Sequence, residues 1–264
     1  LGGDIDSAGI KWISSFPSNI DKGLTRAQSV TILNNAENGS VEAIINTSLV
    51  SAIRTAGVTG VVLRDYLNAF PQKDNLSLGI VGYGVIAKTH LKMLDALCND
   101  RIAEIRIYDP RDVDLNEAPE ALRDRINICH KWQECFDNAD VFITTTTSPK
   151  GYINAQPKAG SLQLNVSLRD YAEEFCEHVD MMVVDNWEEV CRANTDIEYM
   201  HKAGLLTKEQ TVSLPNVVTN NLFAKLSQDE VVMFNPMGMA CFDIATASYF
   251  FHLAQKEQVG LDLA

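Results

Sequence analysis

Residues 76–87 read Leu-Ser-Leu-Gly-Ile-Val-Gly-Tyr-Gly-Val-Ile-Ala, an apolar run that enters a glycine turn, and Asp109 follows 25 positions after Gly84. Gly82 permits a tight bend, Gly84 lets the backbone approach a bulky anion, and Ala87 keeps the next helix close to the strand. Val85 and Ile86 open that helix, where free N–H groups and the positive end of the dipole favour phosphate. A Gly-x-Gly-x-x-Ala turn alone is a weak signal. With a strand before it, a helix after it and an acid ending the next strand, it points to a dinucleotide held by Gly82, Gly84, Val85 and Ile86. Asp109 suits a ribose diol and repels a 2′-phosphate, which favours NAD over NADP. It also suits a turn before Pro110, and Arg111 could instead greet a 2′-phosphate.

The run Thr144 to Thr147 ends an apolar stretch. It reads either as an ordinary β-rich terminus or, at the carboxyl end of a parallel strand, as a ligand edge where Thr144 and Thr146 contact ribose or nicotinamide.

These groups need a parallel sheet to place them. Strands are expected at 77–81, 104–108, 126–129, 141–145, 162–166 and 181–184, with helices at 85–97, 119–125 and 132–138 between them. The alternation predicts a sheet covered on both faces. Upstream, residues 8–14 alternate like a strand, and β-rich runs at 30–33 and 41–45 flank the hairpin signal Asn38-Gly39. A helix is expected from Thr47, and Pro71 to Asn75 reads as a loop between domains. The fold class is therefore α/β: a Rossmann-fold NAD domain over 75–230 and a discontinuous α+β substrate and dimerisation domain from 1–74 and 231–264. The latter ends in a helix through about Gln255.

Composition narrows the partners. The net charge is −13, with 35 acidic against 22 basic residues, and such a surface repels phosphate backbones, so no nucleic acid is expected. No apolar stretch approaches the roughly 18 residues of a membrane span. The cysteines at 98, 129, 135, 176, 191 and 241 form no Cys-x-x-Cys pair, as suits a reducing cytoplasm. Cys176 with His178, or Cys129 with His130, lacks a second pair at metal spacing, so no metal is expected. The start, Leu1-Gly2-Gly3-Asp4, lacks an initiator Met and a signal peptide and reads as a chain that begins inside a domain.

Further local patterns carry a resemblance: Gly9-Ile-Lys-Trp-Ile-Ser14, Arg26-Ala27 before a β run ending Leu33-Asn34, Arg54-Thr55-Ala56, the glycine turn, and Asn165-Val-Ser-Leu-Arg-Asp170. Over essentially its whole length the chain resembles the ornithine cyclodeaminase/mu-crystallin family. The resemblance implies a homodimer, members that start earlier than Leu1, and roles for single residues. Lys11 matches a lysine that holds a substrate carboxylate; by itself it reads as a snorkelling or edge-strand lysine. Arg54 matches an arginine that clamps a carboxylate, where position alone suggests a surface helix residue. Asp170 matches an acid/base near the substrate nitrogen, although it also suits a helix N-cap. Asn165, Met237 and Gly238 match segments beside the cofactor, and two methionines in an apolar run equally suit a core.

The sequence departs from the cyclodeaminase pattern after Asp170. That pattern continues Asp-x-x-Gly-Lys-x-Glu-Leu, whereas this chain reads Asp170-Tyr-Ala-Glu-Glu-Phe175. Asn235-Pro-Met-Gly-Met-Ala240 and Val183-Val-Asp-Asn-Trp187 look closer to a branch that makes 2,3-diaminopropionate for siderophores. The expected reaction is NAD-dependent oxidative cleavage of N-(2-amino-2-carboxyethyl)-L-glutamate. Ornithine cyclodeamination, ketimine reduction and amino-acid dehydrogenation are the alternatives within the family. A non-catalytic dinucleotide- or ligand-binding protein is the alternative outside enzymes.

Overall fold

The structure, a computed structural model, describes residues 5–262. The opening residues 1–4, on which the reading of the chain's start rests, lie outside the described residues. Strands β1 (Ser7–Ser15), β2 (Ala27–Asn35) and β3 (Val41–Asn46) come first, followed by α1 (Leu49–Ala69). Next are β4 (Leu76–Val81), α2 (Val85–Cys98), β5 (Ile102–Tyr108), α3 (Glu120–Arg123) and β6 (Ile126–Ile128). Then come α4 (Trp132–Phe136), β7 (Val141–Thr144), β8 (Leu162–Asn165), β9 (Met181–Val184) and α5 (Trp187–Val190). The chain closes with α6 (Asp196–Lys202), β10 (Thr211–Ser213), α7 (Leu214–Thr219), β11 (Val232–Asn235) and α8 (Ala240–Lys256).

Two compact units result, Leu1–Arg54 with Gly238–Ala264 and Thr55–Met237. The class is the expected one, a Rossmann-like α/β sheet with a discontinuous α+β partner. The division differs in position from the expected boundaries at 74 and 231. It falls inside α1, which runs unbroken past Arg54, because the later turns of that helix pack within the larger unit. There the Tyr66 ring meets Phe223 edge-on at 5.9 Å, and its hydroxyl donates to the Gly160 carbonyl at 2.5 Å.

In the smaller unit β1, β2 and β3 form an antiparallel sheet in that order. Alternation along the strands gives it two unlike faces. Leu33, Val50, Ile244 and Ala247 pack with Ala43, Ile45 and Phe251 on the face covered by α8. The other face carries the cross-strand row Ile10, Ile32 and Ile44, with Trp12 beside it. Trp12 is 76% exposed and Ile10 67%.

The larger unit is built on an eight-stranded sheet, β10-β9-β11-β8-β7-β4-β5-β6, whose pairings are all parallel. Leu78, Ile80, Ile105, Ile107, Val141 and Ile143 are fully buried, as strands covered on both faces require. Val232–Asn235 lies here, between β8 and β9, rather than in the smaller domain expected for 231–264. Its unalternating apolar sequence fits a position with no solvent face. From β4 the chain builds outward to β5 and β6 on one side and returns to β7 on the other. That reversal opens the crevice where ligands of such sheets sit, at the carboxyl ends of β4 and β7.

Candidate active site

The glycine turn stands in that crevice. Gly82 has φ +87, and a Cβ there would lie 2.6 Å from the Thr145 carbonyl oxygen, so the turn closes only with glycine. Gly84 is the N-cap of α2 and contributes no side-chain bond, and a Cβ on it would meet nothing within 4 Å. No capping side chain therefore occupies the N-terminus of α2, where Val85 and Ile86 begin the helix. A 14-residue helix with an open N-terminus beside a glycine turn fits a pyrophosphate.

Asp109 follows β5 and faces the same turn. Its Oδ2 accepts from the Tyr83 amide at 2.7 Å, and Oδ1 accepts from the Arg111 amide at 2.9 Å. The Arg111 side chain adds two bonds, Nε to Oδ1 at 3.0 Å and Nη2 to Oδ2 at 3.1 Å. Burial works against the charge, but these donors outweigh it and hold the carboxyl below its ordinary range. The Asp109 side chain is 4% exposed and that of Arg111 60%, so the cation covers the acid from the solvent side. An exposed guanidinium is readily exchanged for ribose hydroxyls. The acid and the arginine, alternatives in the sequence, are here partners.

Deeper in the crevice, the strand ends carry a hydroxyl and carboxyl network. Asp170 is fully buried; its Oδ1 accepts from Thr146 Oγ1 at 2.5 Å, and Oδ2 accepts from the Ser167 hydroxyl. The Tyr152 hydroxyl bonds the same carboxyl. Burial pushes the Asp170 carboxyl above the usual carboxylate range, and the surrounding hydroxyls only partly offset it. A carboxyl raised in this way holds a proton more readily than a solvent-exposed one and can pass it to or from a neighbouring group. Thr144 and Asn165 are also fully buried and bond each other, Oγ1 to Oδ1 at 3.1 Å. Asn165 Nδ2 reaches Asn235 Oδ1 at 2.8 Å and Asp196 Oδ2 at 3.0 Å. Thr146 is thus placed beside the candidate acid, Thr144 bonds both that acid and Asn165, and Asn165 braces the strand ends.

The expected carboxylate-binding residues meet in the smaller unit. Lys11 on β1 and Arg54 on α1 share Asp243 of α8: Nζ lies 2.9 Å from Oδ2, and Nε donates to Oδ1 at 3.1 Å. Ser51 Oγ accepts from Lys11 at 3.0 Å and donates to Asp243 Oδ1 at 3.3 Å. The three charges sum to +1. The Lys11 and Arg54 side chains keep only 14% and 12% of their surface, so the excess positive charge is largely buried. Such a cluster of cations suits a carboxylate. Gly238 has φ +92, and a Cβ on it would lie 2.4 Å from Arg54 Nη1, so the guanidinium rests against glycine. The Met237 amide, in the larger unit, donates to Asp185 Oδ1 at 3.1 Å.

Sequence reasoning missed Asp243, Ser51, Tyr152 and Asp196. For Asp243 a signal existed: Ala240-Cys-Phe-Asp-Ile-Ala-Thr-Ala places one acid in an apolar helix, and buried acids are normally paired.

A sequence model of the ornithine cyclodeaminase/mu-crystallin family matches residues 2–258. The chain belongs to that family. Among its relatives, an N-((2S)-2-amino-2-carboxyethyl)-L-glutamate dehydrogenase of Staphylococcus aureus is 32% identical over all of this chain and 79% of its own length. Two family-like folds are close in shape. A Δ1-pyrroline-2-carboxylate reductase of Thermococcus litoralis, solved with NADH and L-proline, superposes with TM-score 0.83 at 23% identity, over 97% of this chain and 80% of that one. An archaeal alanine dehydrogenase dimer with bound NAD gives 0.78 at 24% identity, over 98% and 81%. At these identities the structural likeness speaks for the fold of the family.

Proposed function

We propose that the protein is an NAD-dependent oxidoreductase acting on the CH–NH bond of an amino-acid derivative. The substrate we assign is N-(2-amino-2-carboxyethyl)-L-glutamate. The observation that carries the chemistry is the buried Asp170 ringed by Thr146, Ser167 and Tyr152 in the crevice of the glycine turn. The substrate assignment draws on the likeness to the Staphylococcus aureus enzyme along the whole chain.

The glycine turn, the N-terminus of α2 and Asp109 would hold the dinucleotide. NAD, when bound, supplies the two-electron oxidation at the glutamyl Cα. Lys11 and Arg54 hold substrate carboxylates, and fixing the reacting carbon in this way supplies much of the rate. Loss of the Cα–H as hydride, and of the N–H proton through the ionised Asp170 carboxylate to solvent, leaves a C=N bond. Asp170 takes a proton from the water that adds to this carbon and returns it to the departing nitrogen. The C–N bond breaks, releasing 2-oxoglutarate and 2,3-diaminopropionate.

A second copy of the chain is the partner we propose for the exposed face of the three-stranded sheet, where Ile10, Trp12 and Ile44 stand together. The alanine dehydrogenase of similar fold is a dimer. A cytoplasmic setting agrees with six scattered free thiols. Among the described residues no helix is long and apolar enough to cross a membrane.

Turnover of the full-length protein should be compared across a substrate panel. The proposal requires kcat/KM to be highest for N-(2-amino-2-carboxyethyl)-L-glutamate. Preference for alanine would replace it with amino-acid dehydrogenation, and tight NADH binding without turnover of any substrate would favour a binding protein.

A further inference from the structure

Asp196 lies at the first position of α6, nearly fully buried, and no step described so far uses it. Four bonds tie it to the segment that carries Asp170. Its amide donates to the Leu168 carbonyl at 2.8 Å. Its Oδ2 accepts from the amides of Asp170 and Tyr171, each at 3.1 Å, and from Asn165 Nδ2 at 3.0 Å. The segment needs such a clamp, because Leu168 has φ +61, a left-handed conformation that costs a branched residue free energy. Thr195 fixes the clamp in turn, accepting from the Glu198 amide and donating to the Val190 carbonyl.

We propose that Asp196 is the positioning residue for Asp170: its carboxyl holds the 165–171 segment so that Asp170 stays aligned with Thr146, Ser167 and Tyr152. The proposal rests on the reading of Asp170 as the acid/base group. It goes further in naming what holds that group against its hydroxyl partners. Bonds from the hydroxyls of Ser167, Thr146, Tyr152 and Thr144 favour the ionised form of Asp170 and oppose the effect of burial. If the segment relaxes, those bonds loosen and the carboxyl holds its proton more tightly. The other titratable groups facing the pair are Tyr152 and Tyr171. Arg169, next in sequence, donates to the Ala193 carbonyl at 2.7 Å.

The test compares Asp196→Asn, which keeps an acceptor for the amides, with Asp196→Ala, which keeps none. Both remove the charge, so their difference isolates the clamp. The titration of Asp170 is followed by carbonyl-13C NMR on aspartate-labelled full-length protein, with Asp170→Asn identifying the signal. We expect the Asp170 midpoint to lie about one unit higher in Asp196→Ala than in Asp196→Asn, a tenfold change in the protonation equilibrium. The acidic limb of the kcat profile should move with it, whereas a merely structural defect would lower the folded fraction and leave both midpoints in place. Should Asp196→Ala fail to fold, Asp196→Ser, whose oxygen is too short to span both amides, carries the same expectation. Coincident midpoints overturn the proposal. Failure of the functional reading looks different: Asp170→Asn would then turn over at the wild-type rate.

Discussion

Lys11 Nζ stands 2.9 Å from Asp243 Oδ2, and the second oxygen of that carboxylate bonds Arg54. One buried acid thereby holds two cations side by side that would otherwise repel each other, and leaves the group one positive charge in excess. The cationic cluster is a property of three residues from β1, α1 and α8, far apart in sequence.

Removing the shared acid should be costly. Breaking a buried ion pair leaves unbalanced charge, so Asp243→Ala is expected to lose about 3 kcal/mol of stability. Added glutamate or acetate should then raise the melting temperature of the variant more than that of the parent protein, since the bare cations attract an anion. Equal melting temperatures with and without the substitution would remove Asp243 from this role.

Lys11→Gln and Arg54→Gln each delete a charged donor. A charge-assisted hydrogen bond contributes about 1.5–3 kcal/mol, so KM for the amino-acid substrate should rise roughly 10- to 100-fold. KM for NAD should stay within about twofold if the cations bind substrate alone. Steady-state kinetics with each ligand varied separately will show whether the two effects divide in this way.

Asp109→Ala tests the cofactor end. The substitution removes the ribose acceptor and frees Arg111, which is mostly exposed and would then be available to a 2′-phosphate. Binding of NADH, followed by its fluorescence, should weaken by about tenfold or more, while NADPH should gain. An unchanged preference would place the ribose elsewhere.

His90 gives the larger unit an acid-labile point. The ring is fully buried, with Nδ1 donating to the Ile86 carbonyl at 2.8 Å and Nε2 2.7 Å from Thr59 Oγ1. Burial pushes the imidazole down to about 4, with the carbonyl bond opposing. The unfolded chain takes up a proton below about 6.5 while native His90 stays neutral, so its contribution is whole above that pH and is lost as pH falls toward 4. The loss is on the order of 3 kcal/mol. Urea unfolding across this range should show a slope that His90→Gln flattens.

How far these arrangements could be read from the sequence depends on how local their causes are. The turn at Gly82, the helix behind it and Asp109 all lie within one β-α-β unit, and each was legible from residue type and spacing. β10 escaped notice because three residues, Thr211 to Ser213, are too few for a period to show. β11 was legible only as part of an apolar run, neither as a strand nor as a neighbour of β8 and β9, because pairing between distant segments leaves no mark on a single strand. What Asp243 and Asp196 pair with was hidden for the same reason. Their partners lie at Lys11, Arg54 and Asn165 to Tyr171, and only folding brings them together.

The central claim concerns the bond that is oxidised and the products that leave. Full-length protein incubated with NAD and N-(2-amino-2-carboxyethyl)-L-glutamate should form NADH, 2-oxoglutarate and 2,3-diaminopropionate in equal amounts, as followed by absorbance and mass spectrometry. Release of proline and ammonia from ornithine, with no diaminopropionate from the proposed substrate, would contradict the account.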